Sequence, residues 1–542
     1  FQGLSLSALA RRVGALLDLT CVDRDFRKLR DLSYGLHRLR FIEGIKNMKY
    51  DDTILESDRR TFLGRITGAF MVGVTFMLTP AFTLARQVVV RIDEIKELVI
   101  QRIDPDYENY RAAMIATDQL YMPQRYPDAI VLVETVSDVI EAVKYARDND
   151  LKIVTRSTGH THAQTCLRNG GLLLDLSRLY NIEIDPESAT AWVEPGARSG
   201  SLISAAAPYD LAFPAAHGAA VGLGGYLLGG GIGWNSQKWG IACRSVIAAD
   251  IVLADGTLVS ASETEHPDLL WAVRGAGPGF FGVVVRLQIK LYPLPKVITA
   301  SYYTFSEDRF EDLADTLAEL IPSKDPSVEA LASLNFNEVY SPLPAQFSGG
   351  GIHCQVDLYA FTNSEKQNRE LLEPFSSNSV FQNAGVRNEN QLRTFQELYL
   401  FRNTQTGGTG RARVPHTNTD NMWTDRPRDA FLAYADLLKE ATSPNSRVQM
   451  SWGMNVAAVN DYYMYMSLTG KDGDEAYANK LWMEKSNLLV QKLAKGHYIN
   501  EAEYELFPER IPGCFSDAGW KRMANLRDKY DPLGVFHNYL GH

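Results

Sequence analysis

The chain has 542 residues, 45% hydrophobic and 22% charged, with 55 Lys and Arg against 65 Asp and Glu for a net charge of −10. This is the composition of folded protein with room for several cores, not of a disordered chain. An acidic balance without a dense basic run argues against a nucleic-acid partner. Cys21, Cys166, Cys243, Cys354 and Cys514 are scattered and never form a CxxC pair, which argues against a zinc ribbon or disulfide scaffold and leaves room for one bridge at most.

Phe1-Gln2-Gly3 reads as the remnant of a cleavable tag. Residues 4–60 are expected to be largely helical, with Leu9, Val13, Leu16 and Leu17 at helical spacing. Ser57-Asp58-Arg59-Arg60-Thr61-Phe62-Leu63 then precedes an uncharged run from Ile66 to Ala85. Residues 1–100 are therefore expected to be a helical extension, with three readings open for 57–85. It packs on the body or on another subunit, or it is a twin-arginine-type export signal, or it is a membrane anchor through 66–85. Cytoplasmic and exported locations, and an oligomer, stay open with it.

A regular α/β pattern begins near residue 105. Ala129 to Val133 is an apolar run of strand length, Ser137 is the expected cap of a helix carrying Val139, Ile140, Val143 and Ala146, and Leu151 to Thr155 is the next strand. The loop Arg156-Ser157-Thr158-Gly159-His160-Thr161-His162 follows, and Gly171 to Leu176 resumes as a strand. Backbone N–H groups in such a loop can converge on an anion, with Arg156 adding charge and Ser157, Thr158 and Thr161 adding hydroxyls. On chemistry alone it is a phosphate loop or a plain turn. His160 and His162 sit two apart, but no carboxylate or thiol completes a metal site, so no metal is expected.

After Phe213-Pro214, the glycines 222, 224, 225, 229, 230, 231 and 233 crowd into the twelve residues from Gly222 to Gly233, just before Trp234-Asn235. Glycine costs about 0.5–1 kcal/mol in regular structure, so this density implies close backbone approach to a ligand, or tight packing. The segment lacks the strand–GxGxxG–helix context of a dinucleotide fingerprint. Ala249 to Gly256 reads as a strand entering a hairpin turn, and Trp271 to Val284 as a glycine-rich turn entering a strand.

These segments, in this order, resemble the berberine-bridge-enzyme-like branch of the vanillyl-alcohol-oxidase, PCMH-type FAD-binding flavoprotein superfamily. The resemblance covers residues 105–295 strongly and the last fifty residues more weakly. It implies an α+β fold with a two-part FAD-binding domain and an α+β substrate domain. It also implies that residues 156–160 hold the FAD pyrophosphate, with Thr158 in place of a glycine, and that His160 is bonded to the flavin. Many relatives carry a second link through a cysteine; here that position is Gly218, preceded by His217, so a single covalent link is expected. The resemblance further places His162, Val221, Gly222, Gly224, Gly225, Gly229, Gly230, Gly233, Trp234 and Val283 around the cofactor. His217 and His162 remain divided between lining the flavin and ordinary hydrogen-bonded roles.

Pro293-Leu294-Pro295 closes the flavin module. Residues 296–495 alternate strand-like runs (Ala300 to Phe305, Gln355 to Tyr359) with amphipathic helices (Phe310 to Leu320, Glu475 to Leu493). They read as a substrate domain, a sheet covered by helices on one side. Thr404 to Gly410 reads as a surface loop, with a lid as the alternative. Residues 496–542 return to the flavin domain in the resemblance, through His497-Tyr498-Ile499-Asn500-Glu501 and through Lys529-Tyr530-Asp531-Pro532 with Val535-Phe536-His537-Asn538. Asn500 and Asn538 are expected to contact the flavin. Glu501 stands where the family carries a catalytic tyrosine, so the base is expected to be Glu501 or Tyr498.

The expected function is oxidation of an alcohol, sugar, phenolic or natural-product substrate, with hydride passing to flavin N5 and oxygen or another acceptor reoxidising it. A flavin-containing lyase or cyclase and a non-catalytic binding protein are the alternatives.

Overall fold

The computed structural model describes residues 99–115, 123–161, 163–336, 351–399, 416–441, 446–451, 462–470 and 474–541. The expected N-terminal extension, its export or anchor segment, the 404–410 loop and His162 lie outside the described residues. Among those described, no helix is long and apolar enough to cross a membrane.

Four strands, β1 (Val99–Gln101), β2 (Ala129–Leu132), β3 (Ile153–Arg156) and β4 (Leu172–Asp175), form a sheet in the order β1-β2-β4-β3, parallel except at β1. Every residue of β2 and β4 is buried, as the continuous apolar runs of a sheet covered on both faces require. The helix Val136–Asp148 packs Val139, Ala142, Val143 and Ala146 on this core. Its cap is Thr135, two residues before the expected Ser137. The Thr135 hydroxyl accepts from the Asp138 N–H (3.2 Å) while Asp138 Oδ2 accepts from the Thr135 N–H (2.8 Å). That reciprocal pair satisfies two end-of-helix donors, which Ser137 in the first turn cannot do.

A second, antiparallel sheet follows. It contains β5 (Ile182–Asp185) and β6 (Thr190–Val193), and after the short β7 (Leu211–Ala212) it takes in β8 (Val246–Val252), β9 (Leu258–Ser262) and β10 (Val283–Lys290). The order is β5-β6-β10-β8-β9, and β7 pairs separately with β11 (Tyr292–Pro293). The expected hairpin turn is present between β8 and β9, with Gly256 at φ +83°.

The third sheet has seven strands: β12 (Val297–Ser306), β13 (Val328–Asn335), β14 (His353–Thr362), β15 (Val386–Arg393), β16 (His416–Thr424), β17 (Arg447–Ser451) and β18 (Tyr462–Gly470). Their order is β15-β12-β14-β13-β17-β18-β16, all antiparallel. Alternation sorts its two faces. On β14, Val356, Leu358 and Ala360 join the core beneath the helices Phe310–Leu320, Glu365–Ser376 and Pro427–Leu438. Tyr359 and Phe361 instead join the core of Phe213, Leu227 and Trp234. One face of the sheet is thus clad by helices, and the other lies on the glycine-rich module.

The chain ends by returning to β3. After the helix Asp517–Tyr530, Phe536 bridges Ile153 in parallel, with Ile153 N–H donating to the Val535 carbonyl (2.7 Å) and His537 N–H to the Ile153 carbonyl (2.9 Å). The C-terminal tail therefore braces the strand that leads into the His160 loop.

Candidate active site

The loop after β3 is held from within. Gly159 sits at φ +71°, and a Cβ there would lie 1.9 Å from the Met114 carbonyl oxygen, so only glycine brings the chain this close. The Arg156 guanidinium pairs with Asp175 (2.7 Å) and donates to the carbonyls of Met114 (2.9 Å), Ala113 (3.2 Å) and Thr158 (3.0 Å). Its charge is spent on bracing the loop and not aimed outward. Ser157 Oγ donates to the Pro195 carbonyl, and Thr158 Oγ1 accepts from the Gly222 N–H at 2.9 Å. Thr161 turns back through its N–H to the Gly159 carbonyl (2.9 Å).

With the Arg156, Ser157 and Thr158 side chains engaged, His160 is left exposed on the loop. It has open surface, yet the surrounding protein pushes its imidazole pKa below the ordinary value through desolvation. Accessible surface together with strong desolvation describes a residue on the wall of a recess. The shift favours the neutral ring, the form with a nucleophilic nitrogen.

The glycine-rich segment packs on this loop, and its glycines divide into two kinds. A Cβ on Gly222 would meet Ser157 Oγ at 2.6 Å, on Gly224 the Pro195 Cβ at 2.7 Å, on Gly229 the Asn500 Oδ1 at 1.8 Å, and on Gly233 the Ala215 carbonyl at 2.1 Å. Gly230 and Gly231 take φ of +119° and +84°. These positions are fixed by packing and turn geometry. Gly225 is different: it is exposed and a Cβ there would meet nothing within 4 Å. At Gly218 a Cβ would make only an ordinary contact, 3.4 Å to Val221 Cγ2, and Val221 is itself half-buried.

The C-terminal segment closes over these glycines. Tyr498 Oη accepts from the Gly231 N–H (2.9 Å) and from Asn500 Nδ2 (3.1 Å). Burial, with the Glu501 charge added, pushes the Tyr498 pKa well above the usual phenol range. Its oxygen is a protonated pin for the glycine turn, a poor fit to the role of base. Asn500 Nδ2 also reaches the Gly225 and Tyr226 carbonyls at 3.3 and 3.4 Å. Glu501 is half-buried in the same turn, its N–H donating to the Tyr498 carbonyl (3.2 Å). The turn is clamped by Asn421 of β16, whose amide donates to the Tyr498 carbonyl (3.0 Å) and accepts from the Tyr498 N–H (2.6 Å).

The remaining expected residues separate. Trp234 is fully buried, edge-on to His217 at 4.6 Å and to Tyr359 at 4.8 Å. Val283 is fully buried in β10 opposite Val252, so its side chain is core with no surface to offer a ligand. Asn538 is half-buried, its carbonyl accepting from Arg168 (2.9 Å). His217 Nε2 lies 2.9 Å from Oε1 of Glu329 on β13. Sequence reasoning missed Glu329 and Asn421. The signal for Glu329 was a lone carboxylate inside the apolar run Val328 to Ala332.

Residues 127–262 match the FAD binding domain family. An FAD-linked oxidoreductase of Hypoxylon pulicicidum is 35% identical over 273 residues, 50% of this chain and 58% of the relative, so the alignment spans little more than half of that protein. The solved 6-hydroxy-D-nicotine oxidase from Arthrobacter nicotinovorans superposes with a TM-score of 0.69 and 23% identity over 82% of this chain and 97% of its own. Physcomitrella patens BBE-like 1 gives 0.70 and 19% over 81% and 95%. The chain carries an FAD binding domain over residues 127–262 and shares the fold of these flavoproteins.

The residues around His160 fit the FAD that this domain family binds. The open face of Gly225 and the exposed surface of His160 leave room for a bound group beside the loop that Gly159 and Gly222 pack tightly. Both side-chain polar atoms of buried Asn235, next to Trp234, are without a partner among the described residues, as at a polar site completed by water or ligand.

Proposed function

We propose that this chain is an FAD-dependent oxidase whose flavin is attached covalently, and only once, through His160, and that it oxidises a CH–OH group of an alcohol, sugar, phenolic or natural-product substrate. One observation carries the reading: His160 is exposed on a loop whose Arg156, Ser157 and Thr158 side chains are turned inward. The backbone of 159–161, Gly225 and Asn500 would hold the cofactor beside it. The bound flavin would supply a two-electron acceptor. The chain supplies orientation and polarity: the seam between the glycine module and the seven-stranded sheet carries Glu329, Gln355 and Asp357 on the sheet's inner face, a surface suited to hydroxyl-bearing substrates. The oxidoreductase and nicotine-oxidase names of its relatives support the reaction class, and oxygen is the acceptor that class implies.

Denaturing the purified protein and following flavin absorbance tests this directly. The flavin is expected to stay with the polypeptide, on a peptide containing His160, and H160A is expected to release it on denaturation. A flavin that washes off the wild type removes the covalent link; a protein that takes up no flavin removes the oxidase reading. A panel of mono- and oligosaccharides, secondary alcohols, phenols and cyclic amines, scored by flavin bleaching and peroxide release, then separates oxidase from lyase.

A further inference from the structure

Glu329 is buried, with 7% of its side chain open, and both of its oxygens are engaged. Oε1 lies 2.9 Å from His217 Nε2, and Oε2 accepts the Asn235 N–H at 2.8 Å. Asn235 takes a left-handed conformation (φ +61°), with its N–H on the carboxylate. A carboxylate taken this far from water needs such partners to offset its lost hydration. Trp234 supports the His217 ring edge-on at 4.6 Å. When Nε2–H is donated to Glu329, the neutral ring carries its lone pair on Nδ1. No described residue hydrogen-bonds Nδ1, and the His217 side chain keeps 21% of its surface open. Ala216 bridges Gly233 beside it, so His217 stands where the glycine segment meets the sheet that carries Glu329.

We propose that His217 is the proton acceptor of the oxidation and that Glu329 is its positioning residue. This deepens the flavin reading above and rests on it. A carboxylate that fixes the tautomer of an imidazole, leaving the opposite nitrogen as base, is a recurrent catalytic arrangement. In the step, the substrate O–H or N–H proton goes to His217 Nδ1. The adjacent carbon gives up its hydrogen with the bonding electron pair to the flavin, the oxidant, and a C=O or C=N product remains. Tyr498 is spent on Gly231 and Asn500. The Glu329 charge also reaches the Tyr399 phenol, which burial and then that charge push up, the Tyr226 phenol, pushed up by burial first with Tyr498, Tyr399 and Glu329 adding to it, and Lys324, which burial lowers to about 8.

The test uses the flavin-loaded full chain labelled with ¹⁵N-histidine, with H217Q to assign the signal. The wild-type His217 is expected to carry its proton on Nε2, and E329Q to redistribute it between the two nitrogens. Flavin content and attachment are expected to persist in H217Q and E329Q. Bleaching by the fastest compound of the panel above is expected to slow about 10²-fold or more in both, mainly in kcat, with added imidazole restoring part of the rate to H217A. A wild-type Nδ1–H tautomer overturns the proposal. So does flavin-loaded H217Q that bleaches at the wild-type rate, or a loss confined to E501Q. A wild type without flavin overturns the underlying reading as well, so the two failures are distinguishable. Should no panel compound bleach the flavin, the tautomer measurement decides alone.

Discussion

At Arg156 a side chain expected to meet phosphate turns inward, and the reason is electrostatic. Asp175 lies at the end of β4, directly opposite Arg156 in the parallel register, with 7% of its side chain open against 10% for Arg156. A charge so enclosed takes the nearest opposite charge before it serves a ligand. R156L is therefore expected to cost about 3–5 kcal/mol, because it leaves a buried carboxylate without its partner. Urea unfolding measures it; a loss below 1 kcal/mol would show Asp175 rehydrated in the variant. The same inward logic holds at Ser157 and Thr158, leaving His160 as the side chain on offer. The glycines around it were legible as a group, since their density had to mean close approach. Which of them face ligand and which face protein was not, because Gly229 is glycine on account of Asn500, a residue far along the chain.

At the scale of elements, strands and helices follow local pattern closely. Phe310–Leu320 forms as a helix with the bounds its apolar spacing gives, and β14 extends the expected Gln355 to Tyr359 run to His353–Thr362. Ends depend on side-chain chemistry more than on periodicity, as the Thr135–Asp138 box shows. T135A is expected to lower stability by about 1 kcal/mol, read as a shift in the urea midpoint at unchanged slope; S137A, by comparison, is expected to shift it by less than half as much. Equal shifts would sink this assignment of the cap.

At the scale of the whole molecule, the C-terminal tail is tied to the first sheet, and this gives the fold an acid-sensitive element. His537 donates its N–H to the Ile153 carbonyl, while its buried Nε2 has no partner among the described residues. Burial, with Arg168, Lys152 and Arg527 nearby, lowers its pKa from 6.5 to about 4. The unfolded chain therefore takes up this proton first as the pH falls. The stabilising contribution is complete above about 6.5 and is lost progressively toward pH 4. His353, lowered to about 4 by burial, adds to the same window. H537N is expected to flatten the pH dependence of unfolding free energy between pH 6.5 and 4; parallel curves for variant and wild type would remove His537 from the account.

The sequence by itself determined the order of strands and helices in the flavin module, the loop that presents His160 and the glycine run behind it. Each of these is written in contiguous residues with a local physical meaning: strand-length apolar runs, a small-residue turn, a density of glycine. Only the tertiary structure decided the rest. Glu329 reaches His217 across 112 residues, and Asn421 clamps Tyr498 across 77. Those partners are chosen by how β13 and β16 are laid against the glycine module in space. A buried carboxylate or amide is bound by whichever donors the packed interior brings within 3 Å, and no local pattern records which those are.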